Sequence, residues 1–188
     1  MKAFASVLRI FGVTLMLFGA ALFIQRNSPY RISFNNYAPP IEKMCVNRPF
    51  SPTVIRIPSL HKVLPIIPAT VQDNKWETTD RGVSYLVSSR IPGEVGNSIL
   101  YGHNWESLLG DLPTIKAGTD IEIEFNDGTK RTFTVQTSAH VSPDQTDILK
   151  QSHDKRITLY TCSGWFDSQR FVVVATLKGE PVDRKSVV

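Results

Sequence analysis

The segment TLYTC at residues 158–162 is an apolar, β-branched run that ends on Cys162. A second strand-forming run, at residues 171–176, is opened by Arg170, and a loop at residues 163–169 joins the two. If the runs pair as an antiparallel hairpin, the chain returns on itself and the guanidinium of Arg170 lies beside the thiol. A fixed cation near sulfur favours the thiolate, which is the reactive form of cysteine. The segment therefore predicts a cysteine nucleophile with an electrostatic partner.

The chain after residue 52 repeats this pattern of short strand-forming runs separated by turns. The dipeptide Asp127-Gly128 suits a tight hairpin turn, and apolar and polar residues alternate on the run before it. No long helical period appears, and small helical turns are expected only at residues 105–112 and 146–151. Many short strands at near-regular spacing predict an all-β domain, a closed or nearly closed antiparallel β-barrel. The runs lie at residues 53–57, 82–88, 98–101, 120–125, 129–135, 156–161 and 171–177.

Four histidines are candidates for the proton-transfer partner of Cys162. His103 follows an apolar run and a glycine, whereas His61, His140 and His153 stand in polar or connecting stretches. We therefore predict that His103 is the partner, and the alternative is a buried histidine whose ring nitrogens are bonded to the backbone. With ordinary pKa values of about 8.5 for cysteine and 6.5 for histidine, roughly 1% of such pairs are thiolate and imidazolium together at pH 7.

Three segments, in order along the chain, resemble the sortase family of membrane-tethered cysteine transpeptidases. The segment IRIPSL at residues 55–60, with Pro65-Ile66, looks like the first barrel strands of the family. The segment PGEVGNSILYGH at residues 92–103 is similar to its glycine-rich turn, strand and catalytic histidine. TLYTC followed eight residues later by Arg170 resembles its TLxTC signature and downstream arginine. The resemblance spans roughly residues 52–178.

The resemblance implies an eight-stranded β-barrel and a division of labour among three residues. Cys162 would attack a sorting motif of an exported protein, usually at a Thr-Gly bond, and form a thioester. His103 would serve as acid and base, and Arg170 would hold the oxyanion or the substrate backbone. An amine from a cell-wall precursor peptide or a pilin lysine would then resolve the thioester.

Several apolar and aromatic residues near these three are candidates for lining a peptide-binding groove. Thr161 is the one that matches a position of the family motif, and for each of the others packing in the core or the loop is the alternative. The candidates are Thr161, Leu100, Tyr101, Trp105 and Trp165, with Phe166 beside the last.

No cofactor or metal is expected to be required. The acidic residues near the candidate site are scattered and form no recognisable calcium-binding loop. They are Glu94, Glu106, Asp111, Asp144 and Asp147.

The N-terminal residues have the composition of a membrane anchor. An uncharged run at residues 10–25 extends to about 20 mostly apolar residues if it is counted from Ala3, with Arg9 snorkelling towards the interface. Basic residues before this core favour a cytoplasmic N-terminus and a single-pass protein of the cell membrane, with the catalytic domain outside. A cleaved signal peptide is the competing interpretation, because Gly19-Ala20-Ala21 offers small residues for cleavage.

Composition shifts divide the chain into four predicted regions. These are an anchor at residues 1–25, a juxtamembrane linker at 26–51, a catalytic barrel at 52–180 and a C-terminal tail at 181–188. The linker assignment rests on its prolines, asparagines and lack of periodicity. About 130 residues are enough for one domain with a real core.

Charge and cysteine content narrow the function classes. The net charge of +4 and pI near 9.1 come from dispersed basic residues, so nucleic-acid binding gains little support. The second cysteine, Cys45, lies in the predicted linker and is interpreted as incidental, with a redox lock on Cys162 as the alternative. Two other functions stay open at this stage, namely a cell-envelope cysteine peptidase and a non-catalytic, membrane-tethered peptide-binding β-barrel.

Overall fold

The computed structural model describes residues 2–26, 32–35, 37, 50–72 and 75–179. Cys45 and the predicted tail at residues 181–188 lie outside the described residues. One helix, α1 (Lys2–Arg26), precedes ten strands. The strands are β1 (Pro52–Ile57), β2 (Lys62–Ala69), β3 (Val71–Gln72), β4 (Lys75–Trp76), β5 (Val83–Leu86), β6 (Gly96–Gly102), β7 (Asp120–Phe125), β8 (Lys130–Val141), β9 (Lys155–Ser163) and β10 (Gln169–Leu177).

Eight of the strands close into a barrel in the order β1-β2-β5-β6-β9-β10-β8-β7, which confirms the predicted mainly β, eight-stranded fold. The strands β3 and β4 form a separate two-stranded sheet. The barrel is not wholly antiparallel, because β2 pairs with β5 and β6 pairs with β9 in parallel. Parallel neighbours need a long crossover, and here the β3–β4 segment and the β7–β8 hairpin lie in those crossovers.

Alternation along the strands separates two hydrophobic clusters. Every barrel strand contributes to the first, which fills the interior with residues such as Ile123, Phe133 and Leu159. The second, called here the outer cluster, lies on the other face of β6, β9 and β10 and includes Tyr101 and Tyr160. A face that carries buried aromatic side chains outside the barrel must be covered by other parts of the chain.

The tight hairpin predicted at Asp127-Gly128 is present between β7 and β8. Gly128 has φ of 82°, a value that favours glycine. The carboxylate of Asp127 accepts hydrogen bonds from the backbone N–H and the hydroxyl of Thr129 at 3.0 and 2.7 Å. The turn therefore fixes the register that buries Ile121, Ile123 and Phe125.

Two strands differ most from the prediction: β2 is absent from the predicted runs, and β8 extends six residues beyond its run. The strand β2 includes Pro65 and Pro68, which weaken a strand pattern, yet both are exposed and the strand still pairs with β1 and β5. The strand β8 continues to Val141 along β10, so His140 lies on a strand and not in a connection. Short 3-10 helices are found at Leu112–Thr114 and Thr146–Leu149, within or beside the predicted helical turns, and also at Pro58–Leu60 and Trp165–Asp167.

The helix α1 contains a segment, Ser6–Ile24, that is long and apolar enough to cross a membrane. Its side chains over this segment are all exposed to solvent in the isolated chain. An exposed apolar helix of this length needs an apolar environment, so it fits the membrane anchor expected from the sequence.

Candidate active site

Cys162 and Arg170 lie directly opposite each other on neighbouring strands. The antiparallel register of β9 and β10 pairs Arg170 with Cys162, as the hairpin prediction requires. Directly paired residues project to the same face of a sheet, and Cys162 belongs to the outer cluster. The guanidinium and the thiol therefore face the same side, at the end of the barrel where the loop at residues 164–168 joins the two strands.

His103 reaches the same place from the parallel neighbour of β9. The register of β6 and β9 pairs Gly102 with Thr161, and the residues that follow these two in the chain are His103, just past the end of β6, and Cys162. The hydroxyl of Thr161 donates to the carbonyl of Gly102 at 2.8 Å and ties the two strand ends together. Tyr101, two residues before His103, and Cys162 both belong to the outer cluster.

The ring of His103 is held by an aromatic neighbour. It stacks on the indole of Trp105 with 4.5 Å between ring centroids and 10° between the planes. The next residue, Asn104, donates from its amide to the carboxylate of Asp167 at 3.3 Å, which links the end of β6 to the loop after Cys162.

Arg170 is buried, with 3% of its surface exposed, and its guanidinium is held by backbone carbonyls. Nη1 donates to the carbonyls of Asp167 and Gln169, each at 2.9 Å, and Nη2 donates to the carbonyl of Ser33 at 2.7 Å. Burial lowers the pKa of the Arg170 guanidinium, and the charges of Cys162 and Tyr160 oppose that shift. A buried cation whose partners are neutral carbonyls keeps most of its field available for an anion that forms beside it.

The loop between Cys162 and Arg170 stores backbone strain. Phe166 and Asp167 have φ of 51° and 57°, which places two consecutive non-glycine residues in the left-handed region. Such conformations cost of order 1–3 kcal/mol each and persist where the surroundings over-determine them. The bonds that Arg170 and Asn104 make to Asp167 supply part of that constraint.

The residues predicted to line a groove do not all lie on the same face of the sheet. Tyr101 lies in the outer cluster, stacked on Tyr160 with 5.4 Å between centroids. Leu100 was predicted beside it, but Leu100 packs in the barrel interior and is fully buried, because adjacent strand residues project to opposite faces. Thr161 is buried too, and its side chain is engaged with Gly102. Leu100, Tyr101 and Thr161 are all buried in this structure, each with 0% of its surface exposed.

The two predicted tryptophans have different surroundings. Trp105 is partly buried, packed against the barrel cluster and against His103. Trp165 is 84% exposed at the tip of the loop, where its ring meets Phe166 edge to face at 5.1 Å. Trp105 follows His103 by two residues, and Trp165 follows Cys162 by three.

Sequence reasoning missed three contributors to this region. Trp76, on the short strand β4, is fully buried and contacts Tyr101 and Tyr160 at 5.1 and 5.9 Å between centroids. Ile32, Phe34 and Tyr37, within the predicted linker, belong to the outer cluster together with these aromatic rings. His140 Nδ1 lies 3.1 Å from the hydroxyl of Ser163, beside Cys162. Aromatic residues in the otherwise polar linker were the available signal for the second of these.

No cluster of three or more His, Cys, Asp or Glu side chains with the geometry of a metal site occurs among the residues that the structure describes. The groups that the strand registers place at or next to adjacent strand ends are a thiol, an imidazole and a guanidinium.

Comparison with known proteins agrees with this geometry. Residues 55–178, about two thirds of the chain, match the family model of the sortase domain. The chain belongs to the sortase family.

Among curated sortases, Sortase A of Bacillus anthracis is 29% identical over 129 residues, which cover 66% of this chain and 59% of the relative. The match thus spans less than two thirds of the length of that relative. Sortase A from Corynebacterium diphtheriae is similar in structure, with a TM-score of 0.59 and 25% identity over 75% of this chain and 66% of that one.

Solved sortases of other types superpose equally well. The sortase C1 from Streptococcus agalactiae has a TM-score of 0.59 at 23% identity, over 69% of this chain and 68% of that chain. The Clostridium perfringens Sortase D5 transpeptidase has a TM-score of 0.59 at 22% identity, over 68% and 79%. At these identities the likeness shows the sortase fold.

Proposed function

We propose that this sortase is a cysteine transpeptidase that cleaves a sorting motif of exported proteins and transfers the acyl group to an amine. The observation that carries the proposal is the double register of β9, which pairs Cys162 with Arg170 on one side and aligns it with His103 on the other. A nucleophile, a proton carrier and a fixed cation at adjacent strand ends are the parts that acyl transfer needs.

In the first half of the reaction, the Cys162 thiolate attacks the carbonyl carbon of the scissile peptide bond. The carbonyl oxygen becomes an oxyanion, and the guanidinium of Arg170 stabilises it or holds the adjacent backbone. His103, as imidazolium, gives its proton to the leaving amine. The C–N bond breaks, the amine departs, and Cys162 carries the acyl group as a thioester.

In the second half, an incoming amine attacks the thioester carbonyl. Neutral His103 accepts a proton from that amine, and the sulfur leaves as a thiolate. The products are a new amide and the starting ion pair. Water as the attacking group gives hydrolysis instead, so transfer depends on how well the amine competes.

A small population of the thiolate–imidazolium pair is compatible with a slow enzyme. If the thiolate and imidazolium form only as a minor population of about 1%, the penalty is under ~3 kcal/mol. A buried cation opposite the sulfur stabilises the thiolate and reduces that penalty. The position of Arg170 directly opposite Cys162 supports this role.

The finer assignments follow from the resemblance to sortases. We expect cleavage at a Thr-Gly bond and an acceptor amine on a cell-wall precursor peptide or a pilin lysine. The apolar segment Ser6–Ile24 supports a single-pass anchor in the cell membrane with the barrel outside.

The test is a cleavage and transfer assay with the full-length protein in detergent micelles. A library of sorting-motif peptides is incubated with and without mixed amine acceptors, and products are identified by mass spectrometry. We expect cleaved peptide and, with acceptor present, a product joined through a new amide. Hydrolysis alone with every acceptor would indicate a peptidase, and no cleavage of any peptide would contradict the proposal.

Matched variants assign the roles in the same assay. Cys162→Ala should abolish cleavage, and His103→Ala should reduce it by orders of magnitude. His153→Ala is the control, because His153 is an exposed histidine in the β8–β9 connection. Circular dichroism spectra that match the parent exclude misfolding, and near-normal turnover by either of the first two variants would overturn the role of that residue.

A further inference from the structure

His103 lies one residue beyond the end of β6, in the connection to β7 at residues 103–119. Its carbonyl accepts a hydrogen bond from the N–H of Leu109 at 3.1 Å, which is a contact inside the same connection. The proposed reaction needs the imidazole at a fixed distance from a sulfur that belongs to another strand. The placement of His103 therefore depends on what ties this connection to the end of β9.

The two residues that flank the histidine are each tied to the chain on one side of the proposed nucleophile. Before the histidine, the carbonyl of Gly102 accepts a hydrogen bond from the hydroxyl of Thr161 at 2.8 Å. After it, the side-chain amide of Asn104 donates to the carboxylate of Asp167 at 3.3 Å. Thr161 comes one residue before the nucleophile and Asp167 comes five residues after it. The two bonds thus bracket the histidine and the nucleophile together.

The main chain of Asp167 is tied to the proposed oxyanion donor. Its carbonyl accepts a hydrogen bond from Nη1 of Arg170 at 2.9 Å. Its N–H donates to the carbonyl of Gly164 at 3.3 Å, which closes the turn after β9. Asp167 therefore contacts the histidine connection with its side chain and the guanidinium with its backbone.

Two local features of Asp167 are unfavourable for folding. Its side chain is buried in a loop, with 8% of the residue exposed, and a buried carboxylate destabilises a protein unless hydrogen bonds compensate. Its φ of 57° lies in the left-handed region, which is unfavourable for residues that have a Cβ atom. Unfavourable features gathered in one residue beside a reactive site indicate that the residue serves the site.

We propose that Asp167 is a positioning residue of the acyl-transfer site. Its carboxylate oxygen, through Asn104, holds the His103 connection against the loop that follows Cys162. The role requires an acceptor oxygen at this position and does not require a negative charge. The proposal rests on the proposed function, because it takes His103, Cys162 and Arg170 as the reacting groups. When the side-chain oxygen is lost, the imidazole is no longer held in line with the sulfur.

The first test compares two variants at position 167 that both suit a left-handed φ, so neither adds strain. Asp167→Asn keeps an acceptor oxygen and should keep kcat near that of the parent. Asp167→Gly removes the oxygen and should lower kcat about tenfold or more, with little change in KM, since the proton carrier is displaced. Steady-state kinetics with a cleaved peptide measure both numbers. Parent-like kcat in Asp167→Gly, or an equal loss in both variants, would overturn the proposal.

The second test removes the donor of the same hydrogen bond, and it remains informative if Asp167→Gly fails to fold. Asn104→Ala changes an exposed residue and should lower kcat as much as Asp167→Gly does. The double variant should lose no more than either single variant, because both remove one interaction. Ser107→Ala, at an exposed residue of the same connection, is the control that should match the parent. Losses that multiply in the double variant would contradict a shared role.

The third test observes the imidazole without any substrate. Full-length protein in detergent micelles is labelled with ¹⁵N-histidine, and the His103 ring signal is identified by its absence from His103→Ala. Asp167→Gly and Asn104→Ala should shift or broaden that signal, whereas Asp167→Asn should leave it in place. The signal of the exposed His153 should be the same in all of them. An identical His103 signal in every variant would overturn the proposal.

The kinetic and spectroscopic readouts separate this proposal from the proposed function. If the His103 signal responds as expected but no sorting peptide is cleaved by any form, the positioning role stands and the transpeptidase assignment fails. If the parent and all these variants cleave peptides with equal kcat, the transpeptidase assignment stands and the positioning role of Asp167 fails.

Discussion

At the scale of single residues, the site depends on which face of a strand each side chain occupies. Cys162 and Arg170 are opposite each other in the antiparallel pair, and Thr161, one residue before Cys162, projects the other way. Because of this alternation, Cys162 serves the outer face while Thr161 fastens the strand end on which His103 is mounted. Cys162 thus has the proposed catalytic role, and the adjacent Thr161 positions the strand ends.

We predict that Arg170→Lys lowers kcat by about 10²–10³, the usual effect of removing one preorganised oxyanion donor. A lysine has the charge but not the planar fork that reaches three carbonyls from one position. Steady-state kinetics with a cleaved peptide measure the loss. Arg81→Lys, at an exposed arginine, is the control, and unchanged kcat in the Arg170→Lys variant would contradict this role.

We predict that Thr161→Val lowers the free energy of unfolding by about 1 kcal/mol, the typical net value of one lost hydrogen bond. It should also lower kcat at unchanged KM, because the ends of β6 and β9 are no longer tied by the bond to Gly102. Chemical denaturation and steady-state kinetics give the two numbers. Thr161→Ser keeps the hydroxyl and should recover kcat, and failure to recover would assign Thr161 a packing role only.

At the scale of elements, the barrel depends on close approach between strands that the sequence separates. The strand β5 begins after Gly82, and a Cβ at that position would lie 2.2 Å from the carbonyl oxygen of Pro65 in β2. Backbone atoms cannot move aside without disturbing the parallel pairing of β2 and β5. Only glycine fits at position 82, because there is no room for a Cβ atom.

Gly82→Ala is therefore expected to destabilise the barrel by roughly 1–3 kcal/mol, the usual range for overpacking. Thermal unfolding followed by circular dichroism measures the change. Arg81→Ala, at the exposed residue just before Gly82, is the comparison that should unfold near the temperature of the parent. A Gly82→Ala variant as stable as the parent would show that β2 and β5 can separate at no cost.

The strand β7 carries two carboxylates that make the free energy of unfolding depend on pH in the acid range. Hydrogen bonding to Arg56 lowers the pKa of Glu124, and hydrogen bonding to Lys178 and Thr134 lowers the pKa of Asp120. A depressed carboxyl pKa contributes stability that is present above the unfolded pKa of about 4 and is lost as pH falls through the folded value.

We therefore predict that the denaturation midpoint is constant near neutral pH and falls below about pH 4. The double variant Glu124→Gln with Asp120→Asn should flatten that fall, since neither amide titrates. Urea titrations at several pH values measure the midpoints. An equal acid loss in the parent and the double variant would show that other groups cause it.

At the scale of the whole molecule, contacts between residues close in sequence could be predicted, and contacts between distant segments could not. The pairing of Cys162 with Arg170 is local, one hairpin, and residue patterns alone predict it. The closed barrel followed from many short strands and from the family resemblance. The alignment of His103 with Cys162 depends on a parallel pair across a long crossover, which no local pattern encodes.

The remaining differences have physical causes of the same kind. Leu100 and Tyr101 were both expected in a groove, yet neighbours on a strand cannot share a face, and only Tyr101 lies on the outer one. The burial of Phe34 and Trp76 against Tyr160 joins three segments distant in sequence. Such contacts belong to tertiary packing, so a composition that predicts a linker cannot reveal them.

The most direct test of the central claim, acyl transfer through Cys162, is the intact mass of the protein trapped during turnover. Full-length protein in detergent is mixed with a cleaved sorting peptide, quenched with acid in the absence of acceptor amine, and mapped by peptide mass spectrometry. We predict an acyl adduct on Cys162 that disappears on treatment with hydroxylamine and is absent from the Cys162→Ala variant. Peptide cleavage with no adduct at Cys162, or with an unchanged rate in that variant, would contradict the account.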